Sequence, residues 1–250
     1  MDKNMSSTNE DTGDQNISKA NPASKLQTDQ INETGAVVVT NGKYTIYCLT
    51  IVGEIEGHDI SSENIKTTKY EHVIPQLVAI EESPQIDGLL ILINTVGGDI
   101  EAGLSLAELV SGMKKPTVSM VLGGGHSIGV PLAVSAKKTF IAKSASMMIH
   151  PVRSTGTTLG TTQAFEYLKR MQGRITSFVS DNSKITKKRF LELVMNTCEL
   201  DMDIGTVLEG KEAVDEGIID NVGNLCDALS CLYNMIDSVK GKKKVKSKNK

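Results

Sequence analysis

The chain has no tryptophan, and phenylalanine and tyrosine supply only 4% of its 250 residues. Its core must therefore be aliphatic, and a hydrophobic content of 39% suits a soluble globular protein of one ordinary domain or two small ones. Cysteine is scarce: Cys48, Cys198, Cys226 and Cys231 show no CxxC spacing, which argues against a zinc site or a disulfide framework. Reduced thiols in a cytoplasmic protein are the expectation, since the polar N-terminus lacks the basic and apolar regions of a secretion signal. No apolar run approaches the ~18 residues that cross a bilayer. The longest candidate, 117–135, is interrupted by Ser119, the Gly123–Gly125 triplet, His126, Ser127 and Pro131. Walker, dinucleotide and metal-ligand patterns are missing too, so no cofactor or metal is expected.

Charge is uneven. Residues 240–250 (KGKKKVKSKNK) hold seven of the 27 Lys and Arg and no acid, leaving 20 bases against 30 acids elsewhere. The body of the chain is therefore no specific nucleic-acid binder. The tail is expected to be a solvated end that can touch an anionic surface.

Residues 1–34 are polar, with almost no aliphatic side chains, and are expected to be disordered. From Gly35 the character changes. VVVT and YTIYCLTIV read as strands about a two-residue turn at Asn41-Gly42. YEHVIPQLVAIEES (70–83) has helical spacing. GLLILIN (88–94) is the continuous apolar run of a strand buried on both faces, ending at Gly97-Gly98, and Asp99 opens a helix. A strand from Pro116, a helix from Ser127, short strands at 139–142 and 146–150, and helices near 161–180, 185–196, 212–217 and 224–239 complete the reading. The alternation argues for an α/β fold with parallel crossovers, as one domain at 35–239.

The chemistry is carried by four elements in order. Gly97-Gly98 closes one buried strand, and Ser127 in GGGHSIG closes the next, 29 residues after Gly98. His150 follows 23 residues later at the end of SMMIH, and Asp201 and Asp203 come about 50 residues further on. Sites in parallel sheets form beyond the carboxyl ends of strands, so these ends can share a crevice. A serine at a strand-to-helix turn presents its hydroxyl beside free backbone N–H groups, a histidine takes its proton, and a carboxylate orients the histidine. The N–H groups of Gly98 and Ile128 are the candidate oxyanion donors. GHSIG also fits the nucleophile elbow of α/β-hydrolases, but that fold places its histidine last. Here the four histidines are His58, His72, His126 and His150, and none follows the acids. His126 reads as a pocket-wall or surface residue, not a second base.

INTVGGDIEAG (93–103), GGGHSIG (123–129), SMMIHP (146–151) and EAVDEGIID (212–220) together resemble the Clp protease proteolytic subunits (ClpP). The resemblance covers about 44–235 and is nearest to the translocation-enhancing members of that class, through GEIEGH, TTKYEHVIPQLVAIE and LGGGHSIGVP. It implies a ClpP/crotonase-like fold of repeated β-α units with a protruding helix for oligomerisation, and assembly into a homo-oligomeric ring. By position it makes Ser127 the nucleophile, His150 the base, Gly98 and Ile128 the oxyanion donors, and Gly97 and Gly98 a substrate-binding edge. The acid departs from the pattern: an ungapped match anchored on EAVDEG puts Gly205 there. Asp203, two residues away, is taken as the acid, with Asp201 the alternative. The family's ATPase-facing segment has no clear counterpart in 1–34.

The resulting expectation is a cytoplasmic serine endopeptidase, ATP-independent or loosely coupled to an ATPase, acting on unfolded polypeptides and linked to protein export. Two other readings stay open: a non-catalytic ring scaffold assisting translocation, and an acyl-CoA enzyme on the shared fold.

Overall fold

A computed structural model describes residues 35–248 apart from 60, 63, 154–160 and 198–204. The segment 1–34, expected to be disordered, lies outside the described residues. Strands β1 (Ala36–Thr40) and β2 (Thr45–Glu56) pair antiparallel, with Thr40 opposite Thr45. The turn between them is longer than the expected two residues. Asn41 Oδ1 accepts from the N–H groups of Lys43 and Tyr44, at 3.2 and 2.9 Å, which stabilises a wider loop.

A short strand β3 (Thr67–Lys69) leads into helix α1 (Tyr70–Glu82). Then come β4 (Gly88–Gly98), α2 (Ile100–Gly112), β5 (Thr117–Gly125), α3 (Gly129–Val134) and β6 (Lys138–Ile141). The chain continues through β7 (Ser146–Ile149), α4 (Thr161–Asp181), α5 (Lys187–Val194), β8 (Thr206–Glu209), α6 (Gly210–Asp215), β9 (Asn221–Val222) and α7 (Leu225–Lys248). The main sheet runs β1-β2-β4-β5-β6-β9, parallel beyond the first pair. At the far end of β5, Gly124 pairs with Ser146 of β7, and β7 pairs antiparallel with β8.

Both faces of the central strands are covered, which is why β4 reads as unbroken apolar sequence. Leu89, Ile91 and Ile93 face a large cluster with Leu77, Ala107 and Leu132, from α1, α2 and α3. Leu90 faces a smaller one, where Ala228, Leu232 and Ile236 of α7 cover Val118 and Met120. Helix α7 runs on to Lys248, so the basic segment expected as a separate tail continues the last helix, as lysine's good helix propensity allows.

The apolar side chains of α4 divide between two surroundings. Met171 and Phe178 are 4% and 6% exposed and pack on their own chain, whereas Phe165 stands 64% exposed.

Candidate active site

The site grows out of a disagreement between two neighbouring strands. β4 and β5 stay in register up to Ile93–Val121 and resume at Thr95–Gly125, so β5 carries surplus residues. The surplus is mostly glycine and bulges out, with Asn94 Oδ1 accepting the Gly124 N–H at 2.9 Å. Leaving the main sheet in this way brings the end of β5 to β7, the strand that carries His150 at its close. Beside it, buried Thr95 donates its hydroxyl to Gly53 O at 2.6 Å and accepts the Gly97 N–H at 3.1 Å, which fixes the end of β4.

Ser127 has φ of 56°, the one positive value among the described non-glycine residues. A left-handed serine costs about 1–2 kcal/mol. The conformation persists because its surroundings over-determine it. His126 N–H donates to Thr95 O at 3.2 Å, Ser127 N–H to Met148 O at 2.8 Å, and Val130 N–H to Ser127 O at 3.0 Å. The helix expected to begin at Ser127 begins at Gly129, because the strained residue is a turn that precedes it. Gly97, at φ of 102°, lies directly against this turn: a methyl group there would come 2.7 Å from Ser127 Cβ.

Ser127 and His150 line one cavity of about 200 Å³, with Gly98 and Ile128 beside them and Ile100, Ile175 and Phe190 giving an apolar wall. Four of the residues singled out by sequence thus converge. Ile128 is the N-cap of α3, so its N–H lies outside the intrahelical ladder. Among the described residues the Ser127 hydroxyl makes no hydrogen bond, and His150 Nδ1 donates to Pro151 O at 2.8 Å. A carbonyl only accepts, so the proton sits on Nδ1 and the Nε2 lone pair is left for a hydroxyl. The segment after His150 is tied to α4 by Val152 N–H donating to Gln172 Oε1 at 3.0 Å.

Asp201 and Asp203 lie outside the described residues. The next described residue, Gly205, has φ of 146° and lies on the histidine: a methyl group there would come 2.4 Å from Ile149 O and 2.9 Å from His150 Cβ.

Sequence reasoning underrated His126. It is half-buried, and its Nδ1 accepts the Met148 N–H at 3.0 Å. Burial first, and then the charge of nearby His150, push its pKa down. The signal available beforehand was a histidine where only a small residue is needed. Among the described residues no group of His, Cys, Asp and Glu is arranged to hold a metal ion. No helix among them is long and apolar enough to cross a membrane.

A largely parallel α/β fold with a strained serine and a histidine sharing a cleft beyond the strand ends defines the class. The sequence matches the Clp protease family model over residues 50–225, and the chain belongs to that family. It is 55% identical over 192 residues to the translocation-enhancing protein TepA of Halalkalibacterium halodurans, covering 77% of this chain and 75% of that protein. It is 28% identical over 158 residues to the ATP-dependent Clp protease proteolytic subunits of Lactococcus lactis subsp. lactis and Streptococcus uberis. That match covers 60% of this chain and 74% and 76% of theirs.

Proposed function

We propose that this protein is a serine endopeptidase of the Clp type that cleaves unfolded or flexible polypeptides in the cytoplasm, in support of protein export. The observation that carries the reading is the convergence of a strained Ser127 with His150 in one cavity. His150 Nε2 takes the Ser127 proton as the oxygen attacks a peptide carbonyl, and the N–H groups of Gly98 and Ile128 receive the oxyanion. The imidazolium then protonates the leaving amine, and water releases the acyl group by the reverse steps. Asp203 is the orienting acid, a role favoured by the contact of Gly205 with His150 two residues on. In the described geometry Pro151 O occupies that place. A carbonyl fixes the tautomer but gives the imidazolium less support than a carboxylate, so exchange of one acceptor for the other accompanies activation.

The link to export rests on the similarity to a protein named for enhancing translocation. Among the described residues Cys48, Cys226 and Cys231 are free thiols, which suits a reducing compartment. A homo-oligomeric ring is supported by exposed Phe165 and Tyr167 at the start of α4, and an anionic surface is the partner suggested by the lysines of 240–250. Ser127→Ala should keep the fold and lose hydrolysis of an unfolded test protein, by on the order of 10⁶ in kcat. Undiminished hydrolysis in that variant refutes the nucleophile.

A non-catalytic scaffold is the second reading. It is favoured by the Ser127 hydroxyl's having no hydrogen bond to His150 among the described residues and by glycine at the family's acid position. Absence of hydrolysis in the parent would favour it.

A further inference from the structure

The end of β5 turns away at Ser127 just where a straight strand would go on pairing with β7. Met148 faces that turn with both its backbone groups. Its carbonyl accepts the Ser127 N–H at 2.8 Å, the rung expected of a sheet. Its N–H is left without a strand carbonyl, and the His126 ring supplies the acceptor instead, Nδ1 lying 3.0 Å away. On its other edge β7 is paired with β8, Met147 opposite Leu208 and Ile149 opposite Thr206. His150 is two residues beyond Met148, so this pair of bonds sets its place relative to Ser127.

We propose that His126 is a positioning residue: as a neutral imidazole it holds the Met148 N–H at Nδ1 and so locks the strand bearing His150 against the nucleophile turn. As a role in catalysis this rests on the peptidase reading. As a clamp it stands on the geometry alone. Only a ring protonated at Nε2 can do this, because Nδ1 must offer a lone pair. The ring has room because residue 124 is glycine: a methyl group there would come 2.7 Å from His126 Nε2.

Two consequences follow from the chemistry. The Nδ1 lone pair is engaged, so His126 does not compete with His150 for the serine proton. A positive charge on His150 disfavours charge on His126. When His150 becomes cationic, His126 is held more firmly neutral and the clamp is kept through the step that needs it. His150, immediately after β7, is the titratable group acting on His126 among the described residues; Thr95 on β4 and Gly124 on β5, which also lie against it, carry no charge.

The test compares His126→Asn, whose Oδ1 stands where Nδ1 stands, with His126→Leu, which has no acceptor. Three quantities are read: protection of the Met148 amide against hydrogen exchange, the rate of Ser127 labelling by a fluorophosphonate, and the ring ¹⁵N shifts of His126 in the parent. Leaving a half-buried N–H unpaired should speed Met148 exchange and slow labelling in the leucine variant by on the order of tenfold to a hundredfold. Exchange at Leu49 and Leu90 should be unchanged, and asparagine should restore both quantities most of the way. The ¹⁵N shifts should put the proton on Nε2. The proposal is overturned if Met148 protection survives the leucine change, if asparagine behaves as leucine does, or if the proton is on Nδ1. A parent that takes no label removes the peptidase reading, and the exchange and ¹⁵N results still decide the clamp.

Discussion

Replacing Gly97 with alanine puts a methyl group into the space that holds the Ser127 turn. Two costs arise. At φ of 102° an alanine is in a region that L side chains rarely adopt, worth about 1–3 kcal/mol. The new carbon would also stand 2.7 Å from Ser127 Cβ and 3.1 Å from His126 O, both anchored by backbone bonds. Relieving that overlap means shifting the turn, at about 1–3 kcal/mol for an overpacked site. The sum, about 2–6 kcal/mol, should lower Tm by roughly 4–24 °C in a domain of this size. Any displacement of the serine oxygen should also slow its reaction with a fluorophosphonate, by on the order of 10² for a shift of about 1 Å. Thermal melts and labelling kinetics on the same samples read both effects. Gly112→Ala is the control, because nothing lies within 4 Å of a methyl group there. It should melt at or slightly above the parent. If Gly97→Ala melts with the parent and labels at the parental rate, the turn is not held against Gly97 and the account of the strained serine is wrong.

Asp203→Asn should cut kcat by roughly 10⁴ with the fold intact, and Asp201→Asn should cost little, since an amide favours the wrong imidazole tautomer at the orienting position only; the reverse ranking in steady-state kinetics moves the acid by two residues. Asp220 should shape the acid side of the stability curve. Burial alone would raise its pKa, but ion pairs with Lys184 and Lys138 and the Thr139 N–H outweigh it and hold the carboxyl below its ordinary 3.8. Its contribution is therefore full above pH 3.8 and lost as pH falls through the lower folded value, so Asp220→Asn, costing about 1–2 kcal/mol at neutral pH, should flatten urea-unfolding stability over that window.

The alternation of buried strands and helices was legible because both periods were strong: β4 is apolar without interruption, and Asp99 before α2 does cap it, accepting the Ala102 N–H at 2.8 Å. What sequence missed were the short pieces whose identity depends on partners. β3 and β8 have no pattern of their own and exist because β2 and β7 offer edges to them. Apolar residues recur at helical spacing along α4, but periodicity says nothing about which surface covers each turn. In the site, Ser127, His150, Gly98 and Ile128 were nameable from their positions at strand ends. The role of His126 was not, because a side chain replacing a backbone carbonyl leaves no periodic trace.

The central claim is that Ser127 is an activated nucleophile. Its most direct test is incubation of the full chain with a fluorophosphonate at neutral pH, followed by intact and peptide mass analysis. The account predicts a single adduct located on Ser127, absent from Ser127→Ala and strongly slowed in His150→Ala. A parent that stays unmodified, or an adduct that persists when Ser127 is alanine, contradicts it.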